Sequence, residues 1–146
     1  MIDGGEVITV SGGDTTRVWW VESGSNLTLR NLAVTNGYIG EGNGAGIYSE
    51  GMLTLIHCRL SENQATDASG CGGGGIHQQG GRLAVINSTI TNNSANCVAS
   101  WGGGIVNQFG TAVIADSILS ENSSMLGGGI LNFGTLTVTK LAVDRW

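Results

Sequence analysis

Apolar residues recur along this chain with a period of two inside short segments, and the segments themselves recur at longer intervals. Leu27/Leu29, Leu53/Leu55, Leu83/Val85, Ala112/Ile114 and Leu136/Val138 alternate with variable positions, which puts each pair on one face of a β-strand. A second inward site follows five residues on, at Val34, Leu60, Ile90, Leu119 and Val143. No segment shows the 3.6-residue period of a helix. The blocks Gly51 to Ala65 (GMLTLIHCRLSENQA), Gly81 to Ala95 (GRLAVINSTITNNSA) and Gly110 to Ser124 (GTAVIADSILSENSS) align without a gap. Gly134 to Trp146 continues the series, and a more divergent copy begins at Ser25. Glycine-rich leads ending in isoleucine precede the last four copies. Those isoleucines, Ile47, Ile76, Ile105 and Ile130, are 29, 29 and 25 residues apart.

Repeats of this length built from short alternating strands define a solenoid. The reading is all-β: a single-stranded parallel β-helix of about five to six rungs, with aligned residues stacked about 4.8 Å apart in a rod roughly 25–30 Å long. An antiparallel two-sheet sandwich is the competing arrangement. Alignment of the turn residues as well as the strands favours parallel stacking. One domain is expected over residues 1–146, with an irregular N-terminal rung in 1–26, around Val7 to Val10, and regular repeats in 27–146.

Composition narrows the function. The chain has 26 glycines and no proline, which suits many tight corners, and only 12% of residues are charged. A net charge of −5 with scattered cations argues against nucleic-acid or anionic-membrane binding. No run of about 18 apolar residues is present, so membrane insertion by this chain is not expected. No secretory leader is read at the N-terminus, and both ends look abrupt. The chain is therefore expected to be either cytoplasmic or a processed or excised piece of a secreted protein.

Candidate chemistry is sparse. Parallel β-helices also host polysaccharide lyases and hydrolases, which need clustered carboxylates. Here Glu62 and Glu121 share a repeat position but lie two rungs apart with Asn92 between them, Asp116 and His57 are likewise separated, and His77 stands alone. The chain is expected not to be an enzyme and to use no cofactor or metal. The aligned Asn63, Asn93 and Asn122 are expected to form a structural amide ladder at one corner. Asn107 and Asn132, aligned with Ser49 and Gln78, suggest a second polar corner. Of the three cysteines, Cys58 falls at an inward site and reads as a buried free thiol. Cys71 and Cys97 lie in variable segments of adjacent rungs, where a disulfide is plausible.

The outward row brings Ile56, Ala84, Ile86, Val113 and Ala115 together on the middle rungs as a candidate contact patch. Cover by a loop or by the C-terminus is the competing reading. An ice-binding threonine array is disfavoured because the threonines occupy the end rungs. No amphipathic cap is read at either end, so unless Trp19, Trp20 or Trp146 covers one, head-to-tail stacking is open to the chain. The variable segments Gly37–Asn43, Thr66–Gly72 and Asn96–Trp101, with Tyr38 and Trp101, are the candidate loops for a glycan or protein ligand.

The G-G-G-I lead followed by a strand and an S-x-N-x-A tail resembles the repeats of polymorphic outer membrane proteins. The matching tails are Ser61-Glu62-Asn63-Gln64-Ala65 and Thr91-Asn92-Asn93-Ser94-Ala95, with Ser120-Glu121-Asn122-Ser123-Ser124 ending in serine instead. The resemblance implies a right-handed β-helix in a secreted or surface-exposed bacterial protein, where such chains serve as adhesins, autotransporter passengers or stalks. An extracellular setting would suit the Cys71–Cys97 pairing. The expected function is a non-catalytic structural solenoid at the cell surface. It would self-associate head to tail or laterally as a filament subunit, or form an adhesin stalk. A glycan- or protein-binding module is the alternative.

Overall fold

The computed structural model describes residues 1–144. They form an all-β solenoid of parallel coils, about five turns long, with no helix among the described residues. Every inter-strand pairing is parallel and joins one rung to the next.

The long sheet stacks Ile2–Ser11, Asn26–Thr35, Met52–Ile56 with Arg59–Ser61, Arg82–Ile86 with Thr89–Thr91, Thr111–Ser120 and Thr135–Asp144. The second sheet stacks Trp19–Val21, Ile47–Ser49, Ile76–Gln78, Ile105–Asn107 and Ile130–Asn132. Register is one to one. Leu27, Leu53, Leu83, Ala112 and Leu136 form one column, and Ile47, Ile76, Ile105 and Ile130 another. The alternating residues that predicted strands are the core. Leu29, Leu55, Val85, Ile114, Leu60 and Ile90 are fully buried, and each such side chain contributes roughly 1.5–3 kcal/mol by leaving water.

The first rung is longer than the sequence suggests. It pairs not only through Ile8–Ser11 but also through Ile2 and Asp3 to Leu29 and Arg30, with a bulge between. A bulge of this kind hides alternation from a period-two reading. The variable segments are also more ordered than loops. Tyr38–Ile39, Gln64–Asp67 and Ser94–Cys97 make a third sheet, and Cys71–Gly72 pairs with Ser100–Trp101 in a fourth. Backbone groups pair here although the side chains differ between rungs, which is why side-chain patterning misses these strands. Trp19, in register with Ile47 in the inward column, packs half-buried against the core at the first strand of the second sheet, whereas Trp20 beside it is 61% exposed. Trp146 lies outside the described residues.

Each turn is closed by residues held at positive φ. Asn31, His57, Asn87, Asp116 and Lys140 bend the long sheet, and Asn36, Glu62, Asn92 and Glu121 end it. The glycine leads serve a different need, close approach between rungs. A side chain on Gly75 would place its Cβ 2.6 Å from the Gly104 carbonyl, and one on Gly104 would lie equally close to that of Gly129. Gly75→Ala should therefore destabilise the fold by about 1–3 kcal/mol. Gly80→Ala, whose Cβ would meet nothing nearer than 3.9 Å, should stay within about 0.5 kcal/mol. Urea unfolding of the two variants checks the difference.

Candidate functional site

The strand that ends at Ser61, Thr91 or Ser120 turns through one positive-φ residue and then delivers an asparagine into the interior. Asn63, Asn93 and Asn122 are no more than 2% exposed. Asn63 Nδ2 donates to Asn93 Oδ1 at 2.8 Å, and Asn93 Nδ2 donates to Asn122 Oδ1 at 3.0 Å. The same amides also donate to backbone carbonyls: Asn63 to Val34, Asn93 to Leu60 and Thr91, and Asn122 to Ile90. Their oxygens accept the backbone N–H of the preceding rung, at Gly37, Asn63 and Asn93. The column stops at Gly37, where a Cβ would lie 2.7 Å from Asn63 Oδ1 and against the Ala45 carbonyl. The amides thus repair the backbone pairing that the corner interrupts, in a dry interior where an unmet group is costly.

At the opposite corner Asn107 Nδ2 donates to Asn132 Oδ1 at 2.7 Å and to the carbonyls of Gly110 and Thr135. Gln78 donates to the carbonyls of Gly51 and Gly80. The buried Ser49 hydroxyl takes no part, so this corner is joined at Asn107–Asn132 and not along its whole length.

A further column escaped the sequence reading. Ser88 Oγ accepts the Cys58 N–H at 3.0 Å, and Ser117 Oγ accepts the Ser88 N–H at 3.2 Å. These residues directly follow the bend at His57, Asn87 and Asp116, where the strand ladder is broken. A small polar residue after a positive-φ position was the available signal. Cys58 is a buried free thiol whose Sγ lies 3.3 Å from the Leu29 carbonyl, and burial raises its pKa.

Cys71 and Cys97 are joined by a disulfide with Cα atoms 5.9 Å apart, packed with Ala45, Ala65 and Ala95 in a small apolar cluster beside the main core. On the long sheet, Ile56, Ala84, Ile86, Val113 and Ala115 lie in adjacent register and point outward, each half-buried by its neighbours. Met52 and Ile118, nearby on the same sheet, are each 46% exposed.

Titratable groups stay dispersed. Glu62 and Glu121 are separated by Asn92, and His57 and Asp116 by Asn87, as the register shows. No group of three or more His, Cys, Asp or Glu side chains that would hold a metal occurs among the described residues. Asp116 pairs with Lys140 at 3.5 Å. Asp3 is held below the usual carboxylate range by the Gly5 N–H and by Asn31. His77, read from sequence as standing alone, is instead buried and stacked on Tyr48 at 5.4 Å, with Gln79 and Gln108 on its Nε2. Gln79 is its near neighbour on the same rung, but Tyr48 and Gln108 come from the rungs on either side, beyond the reach of local spacing. Tyr38 and Trp101 are also engaged: the Tyr38 hydroxyl accepts from Thr66 Oγ1 at 3.0 Å, and Trp101 meets Phe133 edge-on at 6.1 Å.

These features define a parallel β-solenoid repeat protein held by internal side-chain ladders. Residues 87–108 match the family model of the Chlamydia polymorphic membrane protein (Chlamydia_PMP) repeat, and the parallel stack on either side is consistent with a protein built of such repeats. No curated protein and no solved structure gives a significant match to the chain. The repeat match points to a bacterial surface protein with a β-solenoid fold.

Two outcomes follow. Asn93→Ala strips acceptors and donors from three backbone groups and two neighbouring amides, and should cost at least about 2 kcal/mol. A loss below about 0.5 kcal/mol in urea unfolding would show that the ladder does not hold the stack. Alkylation of the unreduced protein should label no cysteine in the native state and Cys58 alone after denaturation, rising to all three once reduced. Labelling of Cys71 or Cys97 without reductant would remove the disulfide.

Proposed function

We propose that this chain is a non-catalytic structural β-solenoid of the bacterial cell surface, acting outside the cell as a rod that stacks end to end in a filament or forms the stalk of an adhesin. The observation that carries this reading is the unbroken one-to-one register of the second sheet from Trp19 to Asn132, with the same columns repeated rung after rung. A stack with constant register extends by adding rungs and transmits no local distortion, which is what a stalk or a filament requires. Among the described residues no three His, Cys, Asp or Glu side chains converge, and the amides of Asn63, Asn93 and Asn122 are committed to the ladder and to backbone groups. The Cys71–Cys97 disulfide suits an oxidising, extracellular setting, as does the match to the surface-protein repeat.

The outward patch of Ile56, Ala84, Ile86, Val113 and Ala115 supplies a lateral contact between rods. It is flat because strand register holds its residues at one height, and it has partly exposed Met52 and Ile118 close by.

Negative-stain electron microscopy of the purified chain across a dilution series should show straight, unbranched fibres that shorten on dilution. Uniform particles of one rod length at every concentration would eliminate the filament and leave the stalk. Ile86→Lys should abolish side-by-side bundling of the fibres while leaving their length unchanged.

A further inference from the structure

The outward column of the second sheet is open to water at its first rung and covered in its middle, where His77 and Val106 are buried, so the accessible strip runs along the residues beside it. That column reads Trp20, Tyr48, His77, Val106 and Leu131. Beside it, in the position after the buried corner residue, stand Glu22, Glu50, Gln79, Gln108 and Phe133. Aromatic residues remain open to water on and beside this strip: Trp20 is 61% exposed and Phe133 59%, and Phe109, in the turn that directly follows Gln108, is 70% exposed. Exposed rings are informative where they gather on one face, because contiguous apolar surface of this kind marks contact sites.

The middle of the strip is pre-arranged. His77 is only 1% exposed and lies parallel to the Tyr48 ring, 8° between planes. Its Nε2 is 3.0 Å from Gln79 Oε1 and 3.1 Å from Gln108 Oε1, while its buried Nδ1 meets no hydrogen-bond partner. Burial lowers the pKa of this imidazole and favours its neutral form. The one ring proton therefore belongs on Nε2, where it serves two amide oxygens contributed by two successive rungs. Both glutamines are held with their oxygens toward the histidine, and each NH2 group is left without a protein partner among the described residues. A histidine that makes no other use of its proton thus aligns two pairs of N–H donors along the rod axis.

We propose that this strip binds an uncharged polysaccharide chain running along the solenoid axis, with Tyr48, Gln79 and Gln108 at its centre and Trp20, Phe109 and Phe133 as aromatic platforms. Pyranose rings present apolar C–H faces and a rim of hydroxyls. The first suit aromatic rings, and the second suit fixed amide donors and the carboxylate acceptors Glu22 and Glu50. A row that repeats once per rung, about every 4.8 Å, fits a ligand that is itself a linear repeat. Charge selects the uncharged class. Glu22 and Glu50 lie on the strip and the chain carries −5 overall. The nearby cation, Arg17, is already held over the rings of Trp20 and Tyr48 at 5.5 and 5.1 Å and bonded to the carbonyls of Gly44 and Asn43. Among the described residues a polyanion would meet carboxylates on the strip with no uncommitted cation beside them. This site goes beyond the structural rod and does not depend on it: a rod with a bare strip is still a rod.

Native affinity electrophoresis in gels containing hydroxyethylcellulose, galactomannan, dextran or polygalacturonate tests the assignment. Retardation is expected in at least one of the three neutral gels and not in polygalacturonate. Trp20→Ala and the double variant Gln79→Ala/Gln108→Ala should each weaken it about tenfold or more. Ile118→Ala, on the long sheet away from the strip, should bind as the parent does, and circular dichroism confirms that all variants keep the β fold. Failure of every neutral gel, binding confined to polygalacturonate, or retardation indifferent to both strip variants would overturn the site. The fibre morphology seen by electron microscopy would be unaffected by any of these results.

Discussion

The structure depends on one requirement: every rung must present its backbone N–H and C=O groups to the rung beside it, without interruption, while the chain turns corners that tear strand pairing apart. In a flat sheet the corners lie outside the core and water meets their needs. In a solenoid they enclose it. The solution repeats at each corner as a side chain that imitates the missing backbone pair. Asn63, Asn93 and Asn122 each accept an N–H of the preceding rung and donate to a carbonyl of that same rung. Ser88 and Ser117 do half of this at the bend of the long sheet. An amide stacked on an amide in a dry interior polarises its neighbours, so the column is worth more than separate bonds and is correspondingly intolerant of loss.

That commitment shapes what the molecule is able to do. The amides of Asn63, Asn93 and Asn122 are taken up with architecture, and the side chains open to outside partners lie on the outer faces. Those faces are not equivalent. The long sheet offers a half-buried aliphatic patch over its middle rungs, suited to another flat surface. The second sheet offers aromatic rings, carboxylates and the two glutamines oriented by His77. The third sheet ties the variable segments of three successive rungs together, and the fourth sheet and the Cys71–Cys97 disulfide join two of them again. The result is a rod with chemically distinct sides, which lets one surface serve assembly while another stays available to a ligand.

Much of this was legible in the chain itself. Period-two alternation and ungapped repeats specify strands, parallel stacking and the identity of the core, because in a solenoid a residue's neighbours are its own repeat counterparts. For the same reason Asn63, Asn93 and Asn122 fall into one column on alignment alone. The first rung was harder to see, since the bulge between Asp3 and Ile8 breaks the alternation. The strands within the variable segments were hidden too, since their pairing is between backbones and leaves no side-chain pattern.

Repetition alone, then, determined the fold class, the inward columns and the corner ladder: a strand that alternates and recurs has one way to bury its apolar face. What only the tertiary structure decided is what happens on the outside, where burial depends on how the glycine leads fold back over the second sheet. The backbones of Gly72 and Gly102 come against Val106, and in the same column His77 is sealed from water although its strand position points outward. A histidine that reads as isolated thereby gains Tyr48 from the rung before and Gln108 from the rung after. That environment is set by packing between rungs, and no local spacing along the chain records it.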